Sequence, residues 1–182
     1  MTRAILFGKL PTHGDFVARG IGSEQRDFLD QWLSASLMAA RQQMGEDFEE
    51  SYDKAPPCRY VQPDEGIATG GIVAASADSA GRRFPVLLAL SGLSPDCAAA
   101  AAVGCENLIH DAFAGNWQAD DLHRAASELP LPAAGPASSV EQGRWWTEGA
   151  EDLQPVEWRG RFPAGVLTMM LAGETGSDEF RR

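Results

Sequence analysis

Basic residues are scarce in this chain of 182 residues: 15 Lys and Arg stand against 26 Asp and Glu, for a formal net charge of −11. A body this acidic repels phosphate backbones and anionic lipid surfaces. Nucleic acid and membrane insertion are therefore not expected, and a basic patch on a protein partner suits it better. Cysteine is scarce as well. Cys58, Cys97 and Cys105 are odd in number and form no C-x-x-C pair, so no disulfide framework is expected, in keeping with a reducing cytosol. No run approaches the ~18 apolar residues of a membrane span; Ala98 to Val103 comes nearest, and Glu106 interrupts its surroundings. The first apolar stretch ends at Gly8-Lys9, too early for the core of a signal peptide. The expectation is a soluble, cytoplasmic protein.

What is present is enough for a packed core. Hydrophobic residues make up 44% and charged residues 23%, near the globular average, and a chain of this length buries roughly 70% of its unfolded surface. Ala4 to Phe7 reads as a buried strand, and Lys9 to Val17, broken by Pro11 and Gly14, as an ordered loop pinned by Phe16 and Val17. Ser23 can cap a long helix with Phe28, Leu29, Trp32, Leu33, Leu37, Ala40 and Met44 on one face and an end at Gly45. Glu46 to Tyr52 fits a helical turn or a loop, stopped by Pro56-Pro57.

Strands are predicted at Arg59 to Gln62, Ile67 to Ala75 and Val86 to Leu90, the last two paired antiparallel across the loop Ser76 to Gly81. Ser94-Pro95 opens a second long helix reaching about Phe113, and Asp120 or Asp121 a shorter one with Leu122, Ala125 and Leu129 inward. Pro130 to Pro136 is a small-residue loop and Gly143 to Thr147 a strand. Pro155 to Pro163 is irregular, and Val166 to Ala172 a strand or short helix. Strands do not alternate strictly with helices. The fold class expected is α+β: a mostly antiparallel sheet with helices packed on its faces, a single compact domain over 1–173, and a polar, frayed tail over 174–182.

Patterns that carry catalysis are thin. Gly8-Lys9 follows a strand, but Leu10-Pro11 replaces the hydroxyl residue and helix start that a phosphate loop needs. His13 and Asp15 share a loop, whereas a metal site needs three or four ligands; His110 and His123 lie on predicted helices with no histidine four residues on. There is no G-x-S-x-G elbow. No cofactor is called for. A small hydrolase or metal-dependent enzyme using His13 and Asp15 is kept as an alternative. Trp145 and Trp146 on a strand point to opposite faces. Trp145, beside Arg144, is a candidate anchor for a protein partner, against the alternative that helices cover both rings. Arg82-Arg83-Phe84-Pro85 is a basic spot between acidic stretches, and Asp78 lies four residues before Arg82, which suits an internal clamp or a docking loop.

Two blocks match a known pattern. Gly8-Lys9-Leu10-Pro11-x-x-Gly14-Asp15-Phe16-Val17 and Ser76-x-Asp78-x-x-Gly81-Arg82-x-Phe84-Pro85 resemble the signatures of the TagF (ImpM) family of type VI secretion-associated proteins. Trp32-Leu33 and Trp145-Trp146-Thr147 are weaker echoes, and Val73-Ala74-Ala75 departs from the bulkier run the family more often carries there. The resemblance implies a bacterial accessory protein that represses type VI assembly or firing after translation, without catalysis. Its implied partners are protein components of the secretion system, a forkhead-associated scaffold protein among them. A structural subunit of the apparatus is the remaining alternative. The implied contact residues are Lys9, Pro11, Gly14, Asp15, Phe16, Ser76, Asp78, Gly81, Arg82, Phe84, Pro85 and Trp145. The two loops are expected to meet at one end of the sheet through an Asp–Arg contact, with Asp15 near Arg82.

Overall fold

The computed structural model describes residues 2–133, 142–149 and 153–173. The predicted tail at 174–182 and the Gly135-Pro136 part of the small-residue loop lie outside the described residues. Seven strands form one antiparallel sheet: β1 (Arg3–Gly8), β2 (Val17–Arg19), β3 (Cys58–Asp64), β4 (Ile67–Ala74), β5 (Val86–Leu93), β6 (Arg144–Thr147) and β7 (Val156–Arg159). Their order across the sheet is β2-β1-β5-β4-β3-β6-β7, and every neighbouring pair is antiparallel. Five helices cover it: α1 (Ser23–Met44), α2 (Phe48–Asp53), α3 (Pro95–Gly115), α4 (Ala119–Ser127) and α5 (Val166–Ala172). The chain is thus a single compact α+β domain.

The two sheet faces are built from side chains of different size, because successive strand residues point to opposite sides. On one face Ile5, Phe7, Tyr60, Leu87 and Trp145 meet Leu29, Trp32, Leu33 and Leu37 of α1 and the apolar residues of α5. Here the core is aromatic. Trp145 stacks on Tyr60 with centroids 4.4 Å apart and lies near Trp32 and Phe162. The Trp32 indole N–H donates to the Pro163 carbonyl at 2.8 Å, as a buried ring N–H requires. On the other face Leu6, Ile72, Leu88 and Leu90 receive α3 and α4 through Ala98, Ala101, Cys105 and Leu122. The small side chains of α3 let its backbone come down onto β4. A Cβ on Gly70 would lie 1.9 Å from the Ala98 carbonyl oxygen, so only glycine fits.

Several boundaries shift from the sequence reading. Gly22, not Ser23, is the N-cap of α1. Glu46 to Tyr52 becomes a 3-10 turn followed by α2. The supposedly irregular stretch after Pro155 contains β7, and Val166 to Ala172 is helical. Ala126, not Ala125, faces the core from α4. Phe28, assigned to the buried face of α1, is 48% exposed. For α1 and α4 local periodicity names the element, while the neighbour that a face happens to meet sets its burial.

Gly70→Val is expected to cost about 2–3 kcal/mol, lowering the melting temperature by roughly 4–12 °C. Gly22→Ala, whose added Cβ meets nothing within 4 Å, should cost no more than about 1 kcal/mol, through the loss of a favoured N-cap residue. Thermal denaturation followed by circular dichroism distinguishes the two.

Candidate functional site

The sheet register brings the two signature loops together. β1 and β5 pair as Gly8↔Val86, and β4 and β5 as Ala74↔Val86. The loop leaving β1 and the loop joining β4 to β5 must therefore emerge side by side at one end. They approach so closely that a Cβ on Gly8 would lie 2.1 Å from the Pro85 carbonyl oxygen, and Gly8 itself has φ +126°. Gly8 is glycine for that reason and not to cradle phosphate.

A buried ion pair joins the loops. The Lys9 ammonium donates to Asp78 Oδ2 at 2.9 Å, and the Asp78 side chain is wholly shielded from solvent. Asp78 accepts three further hydrogen bonds: from the Ala80 and Arg82 backbone N–H groups, each at 3.0 Å, and from Arg82 Nε at 2.7 Å. These donors, with Lys9 foremost, hold its carboxyl well below the usual carboxylate range. The clamp predicted between Asp78 and Arg82 is present. The contact expected between Asp15 and Arg82 is replaced: Asp15 Oδ1 accepts the Phe16 backbone N–H at 2.7 Å, and Arg82 Nη2 donates to the Gly14 carbonyl at 2.7 Å. The Asp15 side chain turns back on its own chain, which leaves the Gly14 carbonyl to the guanidinium.

The remaining bonds sew the loops to the body. Ser76 Oγ donates to the Lys9 carbonyl at 2.7 Å, and the Ser79 N–H to the His13 carbonyl at 2.8 Å. The Gly81 N–H closes a turn onto the Asp78 carbonyl at 2.9 Å. Pro11 sits at the second position of the turn closed by the His13 N–H on the Leu10 carbonyl, where its fixed φ is favourable. Phe84 is buried beneath Phe16, with centroids 4.8 Å apart, and Phe16 also stacks over Phe7.

Three contributors escaped the sequence reading. Tyr52 on α2 both donates to the Ser76 carbonyl at 3.0 Å and accepts its N–H at 3.1 Å; burial raises its hydroxyl pKa. Asp53 takes Arg83 in a two-pronged pair at 2.9 and 2.8 Å, which lowers its own pKa and raises that of Arg83. Thr12 Oγ1 donates to the Trp117 carbonyl at 2.9 Å. The acidic turn before Pro56 was the only signal for the first two, and it names no partner.

The signature residues thus divide. Lys9, Ser76, Asp78, Phe84 and Pro85 are buried and build the loops, while Pro11, Gly14, Asp15, Phe16, Gly81 and Arg82 stand on the surface. Trp145 belongs to neither group. It is completely buried, which corrects its assignment as a surface anchor, because its strand position points it at the aromatic core. Trp146 is the half-exposed ring, with the Arg144 guanidinium 4.5 Å above it. His13 Nδ1 lies 3.0 Å from the Thr12 hydroxyl, away from the Asp15 carboxylate's backbone bond. Among the described residues no group of three or more His, Cys, Asp or Glu is gathered as a metal site. All three cysteines are buried and unpaired. Burial pushes the Cys58 and Cys105 thiols up to about 12, which suppresses thiolate chemistry.

The fold and this site define a class: an α+β protein whose open antiparallel sheet carries two loops clasped at one end by a buried Lys9–Asp78 pair with Arg82 above it. A family model described as the TagF N-terminal domain, type VI secretion system-associated, matches residues 6–129, and the chain belongs to that family. Among solved structures, the crystal structure of PA0076 from Pseudomonas aeruginosa PAO1 is similar at a TM-score of 0.74 and 23% identity, covering 96% of each chain. That likeness concerns the fold. No curated protein matches the chain. Among the described residues no helix is long and apolar enough to cross a membrane.

Because the folded Asp78 pKa lies below its unfolded value of about 3.9, the stabilisation is complete above that value and fades as pH falls below it. Asp78→Asn should therefore melt at a lower temperature than the parent by a constant margin between pH 5 and 8, and the margin should shrink below about pH 4. A margin independent of pH would contradict a charged Asp78. Tyr52→Phe, which orphans the buried Ser76 N–H, should cost about 1–3 kcal/mol in urea denaturation.

Proposed function

We propose that this type VI secretion-associated chain is a post-translational negative regulator of the apparatus, working in the cytoplasm by binding another of its proteins rather than by catalysis. One observation carries the reading. Buried charges hold two loops from distant parts of the sequence as one rigid outcrop, which presents Pro11, Asp15, Phe16 and Arg82 together on the surface. An exposed aromatic ring beside an arginine is the composition of an interface anchor. Its rigidity keeps the ordering cost of association low. Phe16 is 45% exposed and carries the Lys9 ammonium 5.2 Å from its ring centroid, so a partner meets an aromatic face backed by positive charge within an acidic body.

The polar groups of the outcrop support binding over chemistry. The Asp15 carboxylate is bonded to the adjacent backbone and the Lys9 ammonium to Asp78, so neither is poised as a nucleophile or base. The partner class we favour is a protein of the secretion system, with a forkhead-associated scaffold protein as the first to test. The signature loops would mask the surface through which that partner joins the assembly.

Deleting the gene should raise effector release, and the intact chain should co-purify a secretion component. Phe16→Ser combined with Asp15→Arg should keep the fold yet weaken that capture at least ~10-fold, as loss of an interface anchor does. Capture unchanged by this variant would remove the outcrop as the contact, and unchanged release in the deletion strain would remove the regulator reading.

A further inference from the structure

The opposite end of the sheet, on the α1 face, is not closed. A groove of about 800 Å³ lies there between the strand ends and the start of α1. Behind it lie Ile5, Tyr60 and Leu87 of the strands and Leu29 of α1, none more than 6% exposed. Thr69, Ser91 and Gly92 form its floor and are too small or polar to fill it. At the rim stand Phe28 and Ile67, 48% and 45% exposed, with Phe162 beyond. Two of the five large exposed hydrophobic side chains among the described residues therefore edge one groove.

The charges around it are unusual for this molecule. Among the described residues, every lysine and arginine but three pairs with a carboxylate. Of those three, Arg41 lies over the Phe48 ring. The other two, Arg3 and Arg161, both line the groove. In a chain of net charge −11, acids were at hand to pair them. Arg3 opens β1, and Arg161 follows Gly160, whose carbonyl accepts from Gln62 of β3. In the order β1-β5-β4-β3, their supporting strands are about 14 Å apart, three strand spacings. An extended chain covers that distance in roughly four to six residues once the reach of the arginines is allowed for. Asp64 is the one acid lining the groove, at its β3 end.

We infer that this groove docks a short extended segment of a partner protein, with carboxylates near both ends for Arg3 and Arg161 and aromatic or aliphatic side chains between them for the exposed Phe28 and Ile67. The inference rests on the reading of the chain as a protein-binding regulator and assigns it a second contact, across the sheet from the clasped loops. The groove's open side leaves the segment's backbone in water, so apolar burial supplies affinity and the two guanidiniums supply orientation and selectivity. An acidic segment would be repelled by most of this surface and tolerated here.

The test is selection of random heptapeptides displayed on phage against the intact chain, followed by fluorescence anisotropy with the enriched sequence as a synthetic peptide. Enrichment of paired acidic residues flanking an aromatic or aliphatic core is expected. Arg3→Glu with Arg161→Glu should weaken the synthetic peptide at least ~10-fold, and Phe28→Ala several-fold. Arg26→Glu, outside the groove, should not. Arg3→Gln with Arg161→Gln removes the charge at nearly constant size and guards against misfolding, which the melting temperature monitors. No enrichment, enrichment without acidic residues, or binding that both double variants leave intact would overturn the proposal. Its failure is separable from failure of the regulator reading: a deletion strain with altered effector release, fully restored by the Arg3/Arg161 double variants, retains the regulator and eliminates the groove.

Discussion

The Lys9–Asp78 ion pair is the contact through which the two signature loops are organised. Taking two charges out of water is costly, and an isolated buried pair adds little to stability. Asp78 is different because four donors converge on it, two from its own loop's backbone and two from cationic side chains. With four donors on the carboxylate, the pair defines one arrangement of the two loops by joining residues 69 apart in the chain. Remove the carboxylate and Lys9 is left buried without its counter-charge, Arg82 loses its ion-pair partner, and the Ala80 and Arg82 N–H groups lose their shared acceptor. The exposed face of Phe16 and Arg82 has its shape because of what lies beneath it.

That logic separates the ends of the sheet. At the clasped end every strong charge is answered from within, and the surface shows a fixed aromatic and basic outcrop. At the groove end the two arginines are answered by nothing in the described chain, and Phe28 and Ile67 face solvent. One end is preorganised and the other is incomplete. A regulator that holds a partner at two places gains avidity without any new contact, provided the partner can span both. The different helix layers produce this asymmetry. Alanine-rich α3 settles directly on the strands of one face, whereas on the other α1 packs over bulky rings and leaves the ends of β4 and β5 uncovered.

Five of the seven strands among the described residues, the two long helices and the α+β class were readable from hydrophobic runs, caps and turn residues, because these signals are local. The loops too were readable as a pair, from Asp78 and Arg82 four residues apart and from Gly8 to Val17 as an ordered segment. The errors have one cause. Trp145 and Trp146 are equivalent on a strand until the layer packed on each face is known, and only then does Trp145 become core. Phe28 keeps helical spacing with Leu29 and Trp32 yet hangs over an opening, since no strand side chain reaches it. Asp15 and Arg82 both suit an ion pair, but the chain direction at Phe16 turns the carboxylate away. Tyr52 and Asp53 carry no motif; they matter because α2 happens to lie beside the second loop.

By itself the sequence determined the acidic character, the secondary-structure elements, the family and the two loops that distinguish it, since each depends on residue type and short-range spacing. The tertiary structure decided which signature residues are interior and which are surface, that Lys9 rather than Asp15 links the loops, and that two unpaired arginines share a groove. Those outcomes depend on the sheet order β2-β1-β5-β4-β3-β6-β7, which places the first strand beside the fifth. Contacts between residues so far apart in the chain are set by how the faces pack, and no local pattern encodes them.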